Sequence, residues 1–456
     1  LQPHALKYFF VPMATAITTN KVDWRVIWAQ RGFRYFSVAM FVSLFGSGLN
    51  FTAVSWYILS ATHSTIAVSM QVIVVTLPGL FVPFLGGVLI DRYDRRYLGI
   101  MLDIARGIAV LTIAYLAWKG HLDIWHLYVM TLITGTGSAM YWACVNALVQ
   151  EVMPPNQFTG ANAAVLIGVQ SGMLMAGAFV GFIYDTIGIA GILAIDGATY
   201  VVSAFCLYKM RRGYVSPRPR YAITPTRSRE YSEATEATAL ALESGGNPEV
   251  AEAGLSLSVF DDLKEGFAYL KKQPQVLALG ITHATMMAGV VSANVILVAL
   301  ANDVLHAGAR GLGYLEGGWA IGAITGGLLA SQLNDKLRMS FYVGCIAVLC
   351  AGHIVVPFVG FVVGAVTIQA VFGFCRAVSG VVAQSTLMMI VPRHFMGRTQ
   401  SSIAIVTTVL QILMSFSLGW VAQRISLFAG FSLLGLMYAG AGAFATRARA
   451  MLTENS

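Results

Sequence analysis

Apolar runs of about twenty residues, the length a helix needs to cross roughly 30 Å of hydrocarbon, recur along the whole chain, and nothing else restricts its fold as tightly. Twelve can be drawn, at 35–60, 67–90, 98–118, 125–150, 158–184, 189–210, 276–301, 311–333, 341–360, 362–391, 399–423 and 426–446. In lipid, only helices and closed barrels satisfy their own backbone hydrogen bonds. Barrel strands are about half this length and alternate in polarity, so the expectation is an all-α membrane protein of twelve transmembrane helices. Composition agrees, because 11% charged and 57% hydrophobic residues lie far from a soluble domain, which is about one quarter charged. The first run has no small-residue cleavage pattern after it and reads as a retained helix. The chain opens on Leu1 and not on Met, so its first residues carry no fold expectation.

Charge sets the expected orientation. With the first segment starting in the cytoplasm, 24 of the 29 Lys and Arg fall on cytoplasmic ends and loops, and Lys119, Arg310 and Arg424 fall outside. That asymmetry places both termini in the cytoplasm, and the membrane expected is a bacterial inner membrane. The net charge of +8 is then a topological signal and an attraction to lipid headgroups, and nucleic acid is not expected as a partner. Residues 211–257 are polar, with Pro, Ser and Glu and no apolar period, and read as a linker. After them Val259, Leu263, Phe267 and Leu270 recur at helical spacing, the pattern of an amphipathic helix on the inner membrane surface. The expected divisions are 1–34 as a cytoplasmic segment, 35–210 as a first six-helix bundle, 211–275 as linker with amphipathic helix, 276–447 as a second bundle and 448–456 as a tail. Cys144, Cys206, Cys345, Cys350 and Cys375 lie in apolar runs without C-x-x-C spacing, which reads as reduced core thiols and not as a metal site.

The halves echo one another. "GGVLIDRYDRR" from Gly86 matches "GGLLASQLNDK" from Gly326 at an offset of 240, and "VMPPNQFTGAN" from Val152 matches "IVPRHFMGRTQ" from Ile390 at 238. Two anchors at nearly one offset imply a six-plus-six duplication with pseudo-symmetry about the membrane normal.

Twelve segments, a long loop after the sixth, and G-G-x-L-x-D-R-x-D-R-R after the second together resemble the major facilitator superfamily. Asp91, Arg92, Arg95 and Arg96 stand at the charged positions of that superfamily's loop motif, and Asp94 replaces its usual Gly. This variant, with "VPRHFMGRTQS" before the eleventh segment and "EGFAYLKKQPQVLALG" before the seventh, resembles the branch of macrolide efflux proteins and the enterobactin exporter. The resemblance implies that Asp91 caps or pairs across the bundle interface, with Arg92, Arg95 and Arg96 in the same gate; Arg95 and Arg96 would hold neighbouring helix ends or lipid phosphates. The alternative is that the arginines only anchor topology. Two features depart from related exporters: "GAFVGF" carries Ala178 where Pro often stands, and the fourth segment lacks the Arg of many proton antiporters.

Ionisable groups inside membrane segments are costly and commonly functional. Arg376, mid-way along the tenth segment on a face with Gln369, Gly373, Ser379 and Gln384, is expected to attract a carboxylate, phosphate or catecholate; a bond to nearby backbone is the alternative. Similar faces hold Ser43, Ser47 and Asn50 on the first segment, Ser138, Trp142 and Asn146 on the fourth, and His283, Met287 and Asn294 on the seventh. Gln411 and Ser415 follow on the eleventh. The resemblance implies that the first, fourth, seventh and tenth segments line a cavity; polar glue between helices is the other reading. Glu316 and Asp103 are the candidate proton-coupling acids, although Asp103 also stands three residues from Arg106 as a neutralising pair. Asp196 and His353 read as structural, and His283 as a candidate shuttle.

No nucleotide-binding, zinc-protease, serine-hydrolase or dinucleotide fingerprint occurs, so the chain is expected not to be an enzyme and to need no metal or cofactor. The expected function is secondary active transport by alternating access, exporting a small amphipathic or anionic compound by proton antiport, as a monomer among membrane lipids. Lysophospholipid flipping, metabolite uptake and a transporter-like sensor are the alternatives.

Overall fold

The computed structural model describes residues 28–82, 94–153, 158–210, 263–330 and 335–454, and among them every regular element is a helix. Asp91, Arg92, the 211–257 linker and Val259 lie outside the described residues. In chain order the helices are α1 (Arg31–Thr62), α2 (Thr65–Thr76), α3 (Arg95–Trp118), α4 (Ile124–Val152) and α5 (Phe158–Lys209). They continue as α6 (Pro274–Ala299), α7 (Gly308–Ala330), α8 (Asp335–Val355), α9 (Val362–Ile390), α10 (Arg393–Arg424) and α11 (Leu427–Glu454). A further short helix spans 263–272.

Local chemistry sets the boundaries. His63 takes a left-handed conformation that ends α1, and Ser64 caps α2 by accepting from the Ala67 amide at 3.2 Å, a bond type that contributes about 1 kcal/mol. Asp94 caps α3 through the Arg96 amide at 3.0 Å. Asp123 and His126 form a reciprocal capping box at the start of α4. α5 is two helical stretches joined at Gly188, whose φ of 62° is one a side chain would resist; the break falls between the segments expected at 158–184 and 189–210.

Nine helices among the described residues are long and apolar enough to cross a membrane, against twelve expected. The described parts of the twelve expected runs are mostly helical. Of the runs outside those nine, α4 and the first stretch of α5 contain side chains outside the described ones, and α7 misses the criterion on its own composition. Composition explains α7, which carries eight glycines together with Arg310 and Glu316. Such residues lower hydropathy where helices approach closely or face a polar interior.

α1 to α5 pack chiefly among themselves and α6 to α11 do the same; the main contacts across are α5 with α7 and α2 with α10, with smaller ones from α6 to α1 and α2. The α5–α7 crossing is close because it is built on glycine. A Cβ at Gly181 would stand 2.7 Å from Gly313 Cα, and one at Gly177 would stand 2.9 Å from Glu316 Cβ. The 263–272 helix docks on the start of α10: Tyr269 stacks on Phe395 with ring centroids 4.6 Å apart, Glu265 pairs with Arg398, and Leu270 is buried. All five cysteines are unbridged, and four of them are buried.

Candidate functional site

In the first half, the polar face of α1 meets a buried acid. Asn50 Nδ2 donates to Asp196 Oδ2 at 2.6 Å, and Ser47 Oγ shares a hydrogen bond with the Tyr200 hydroxyl at 3.0 Å. Gly46 permits this approach, because a methyl there would collide with Thr199 Oγ1 and Asp196 Oδ1. On α3, Asp103 and Arg106 form an ion pair that is 0% and 2% exposed, the neutralising arrangement that their spacing allows. Ser203 Oγ donates to Asp103 Oδ2 at 2.6 Å, and Arg106 reaches Ser138 Oγ at 3.3 Å. The guanidinium lies 4.5 Å from the Tyr200 ring centroid and 5.0 Å from that of Tyr141, within cation–π range. Ser47, Asn50, Gln71, Thr134, Ser138 and Tyr200 line a small cavity beside this cluster.

In the second half, Arg376 is 9% exposed and its Nη2 meets Met287 Sδ. Among the described residues its Nε has no hydrogen-bond partner, and neither do Ser379 Oγ and Asn294 Oδ1. No carboxylate pairs with Arg376 among the described residues; the phenols of Tyr342 and Tyr438 are the groups that bear on it. His283, also buried, lies within electrostatic reach of the same guanidinium. The α9 face and the α6 face expected from spacing thus meet at Arg376, Met287 and His283. Gln369 is buried on α9, while Trp142 on α4 is 40% exposed. The Asn146 side chain lies outside the described ones. His353 stacks on Phe372 with centroids 4.1 Å apart, a packed histidine in an aromatic cluster.

Between the halves, the contacts among the described residues fall mainly toward one end. Arg310 Nε lies 2.9 Å from Asp185 Oδ2 across α7 and α5. Across α2 and α10, the Thr65 amide donates to Gln423 Oε1 at 2.7 Å and Thr65 Oγ1 to the Gly419 carbonyl at 2.8 Å. Gln411 Nε2 donates to Thr76 Oγ1 at 2.6 Å, nearer the middle. Glu316 sits in the α5–α7 seam against Gly177, half-buried. At the opposite end Arg96 bonds within its own half, its Nε donating to the Leu207 carbonyl at 2.8 Å and Nη2 to that of Tyr208, where a helix C-terminus favours a cation. Arg95 begins α3.

Sequence spacing aligned Asn50 with Ser43 and Ser47 but gave no signal that Asp196 was its partner. The only hint was an acid inside an apolar run.

The sequence profile of the Major Facilitator Superfamily matches residues 36–417. Macrolide efflux protein A of Streptococcus pyogenes is 26% identical over 47% of this chain and 50% of its own length, so the match spans about half of that relative. The enterobactin exporter EntS of Escherichia coli O1:K1 / APEC is 24% identical over 83% of each chain. Among solved structures, the nucleoside transporter NupG superposes with a TM-score of 0.66 at 13% identity, over 92% of this chain and 99% of that one; at that identity the likeness concerns the fold.

Proposed function

Because the chain belongs to the Major Facilitator Superfamily and is an integral membrane protein, we propose that it is a proton-coupled secondary transporter that exports a small amphipathic or anionic compound by alternating access. The efflux names of its relatives at low identity support the direction. In this reading 35–210 and 276–447 form two pseudo-symmetric six-helix bundles in the bacterial inner membrane, with both termini and the 211–275 linker segment cytoplasmic, and the chain works as a monomer.

The observation that carries the substrate chemistry is Arg376: a buried guanidinium with an unsatisfied Nε and no carboxylate among the described residues. Burying a cation without a counter-charge costs several kcal/mol, and an anionic substrate would supply that charge through paired hydrogen bonds. His283, Asn294 and Gln369 would complete the site from the second half, facing Asn50, Trp142 and Asn146 across the cavity, with Gln411 at its edge. The contacts joining Thr65 to Gln423 and Asp185 to Arg310 fall on the end that the charge asymmetry assigns to the outside, as in a state closed outward. Asp91, Arg92, Arg95 and Arg96 would make the corresponding contacts at the inner end. Glu316, in the seam that must open, and Asp103 are the proposed coupling acids. Transport by proteoliposomes, with a panel of catecholates, macrolides, lysophospholipids and nucleosides under an imposed pH gradient, tests the reading. Selective movement of anionic or amphipathic compounds is expected, and transport of neutral nucleosides alone would oppose it.

A further inference from the structure

The cluster between α1, α3, α4 and α5 contains more negative charge than its cation balances. Asp103 and Asp196 are two carboxylates, both 0% exposed, beside the single guanidinium of Arg106. That guanidinium is already committed: Nη2 to Asp103, Nη1 to Ser138 and Nε to the Leu102 carbonyl. Asp196 therefore has only neutral direct partners, the Asn50 amide at 2.6 Å and Thr199 Oγ1 at 3.4 Å. Arg106 also bears on it across the cluster, but its hydrogen bonds are spent on the groups just named; the remaining groups around the cluster are uncharged. α1 contributes Ser47 and Asn50, α4 contributes Ser138 and Tyr141, and α5 itself contributes Tyr200 and Ser203. From α7, Glu316 meets a different part of α5, at Gly177. Phenols stay neutral near pH 7, so with both acids ionised the cluster would bury one uncompensated negative charge, at a cost of several kcal/mol.

We propose that this cluster is a proton-binding site, with Asp196 carrying the exchangeable proton and Asn50 linking it to the adjacent cavity. The hydrogen-bond directions fit. Asn50 donates to Oδ2, which leaves Oδ1 for the proton. Thr199 Oγ1 donates to the Asp196 carbonyl at 2.7 Å and so keeps a lone pair facing Oδ1. A metal cation suits the site poorly, because the Asn50 N–H₂ already occupies Oδ2 and Gly46 packs against Oδ1, whereas a hard cation needs six or more oxygens.

The functional consequence follows from Asn50, which both lines the cavity and holds the carboxylate. A ligand that draws the Asn50 amide into the cavity removes the bond that favours the ionised acid, so ligand and proton occupancy are linked through one side chain. This link rests on the transporter reading, whereas proton occupancy does not.

Infrared difference spectroscopy of the purified full-length protein in detergent, stepped from pH 5 to pH 9 in sodium-free and sodium-containing buffer, tests the site without a substrate. A protonated-carboxyl band that is lost in Asp196→Asn, kept in Glu316→Gln and shifted in frequency in Asn50→Leu is the expected result. Asp196→Asn is the neutral isostere and should melt no lower than wild type; should it fail to fold, the Asn50→Leu shift decides alone. A band unchanged in Asp196→Asn, no shift in Asn50→Leu, or a response to sodium in place of pH would overturn the proposal. Failure of transport with these signals intact would count against the transporter reading alone.

Discussion

Replacing Arg376 separates a binding cation from a structural one. Among the described residues its side chain makes one side-chain hydrogen bond, Nη2 to Met287 Sδ, and leaves Nε unsatisfied, so truncation removes few polar bonds that hold the fold. It also relieves the cost of a buried, unpaired charge. In the complex, an anionic group would form charge-assisted bonds worth about 2 kcal/mol, equivalent to about thirtyfold in Kd. Arg376→Gln should therefore bind a catecholate or carboxylate substrate about thirtyfold more weakly, while melting at or above the wild-type temperature. Arg376→Lys, which keeps the charge but loses the planar fork, should fall between. Kd by titration calorimetry and Tm by differential scanning fluorimetry, on the same detergent preparations, provide the two readouts. Equal affinity in well-folded wild type and Arg376→Gln refutes the assignment; a large drop in Tm for both variants assigns Arg376 to the fold instead.

Glu316→Gln should abolish uphill transport driven by a pH gradient while leaving equilibrium binding of the same compound intact; unchanged uphill transport in both this variant and Asp103→Asn would move coupling to other groups. Gly181→Leu forces a side chain into a seam where even a Cβ stands 2.7 Å from Gly313 Cα, so it should hold the outer end open, read as faster labelling of a cysteine introduced at Thr65. Asp185→Asn removes an exposed pair worth about 0–1 kcal/mol, and should change that labelling rate severalfold at most. A cysteine placed near residue 230 should react with impermeant maleimide only after the cells are permeabilised, as a cytoplasmic linker requires.

The membrane class was legible because length and apolarity are local: each long run needs no partner to declare itself a helix. The turn near Gly188 was legible for the same reason. The hydropathy of α7 falls short because glycine packing trades apolar side chains for close approach, a tertiary demand that a window of residues does not display. Arg376 could be singled out as a membrane cation, but its missing counter-charge depends on which side chains α6, α8 and α11 bring near, and no spacing records that. Asp196 was read as structural on the expectation that its segment lies away from the cavity; the contact with Asn50 arises only because Gly46 lets α5 approach α1. Glu316 was placed by counting along its helix, whereas its position in the seam follows from Gly177 opposite.

The most direct measurement is substrate accumulation by acid-interior proteoliposomes. Outward proton flow should drive uptake of an anionic or amphipathic compound, such as a catecholate siderophore, above its external concentration, with the gain collapsing on addition of a protonophore and absent in Glu316→Gln. Accumulation that is unchanged when the pH gradient is removed, or no movement of any compound in the panel by folded protein, would contradict proton-coupled export.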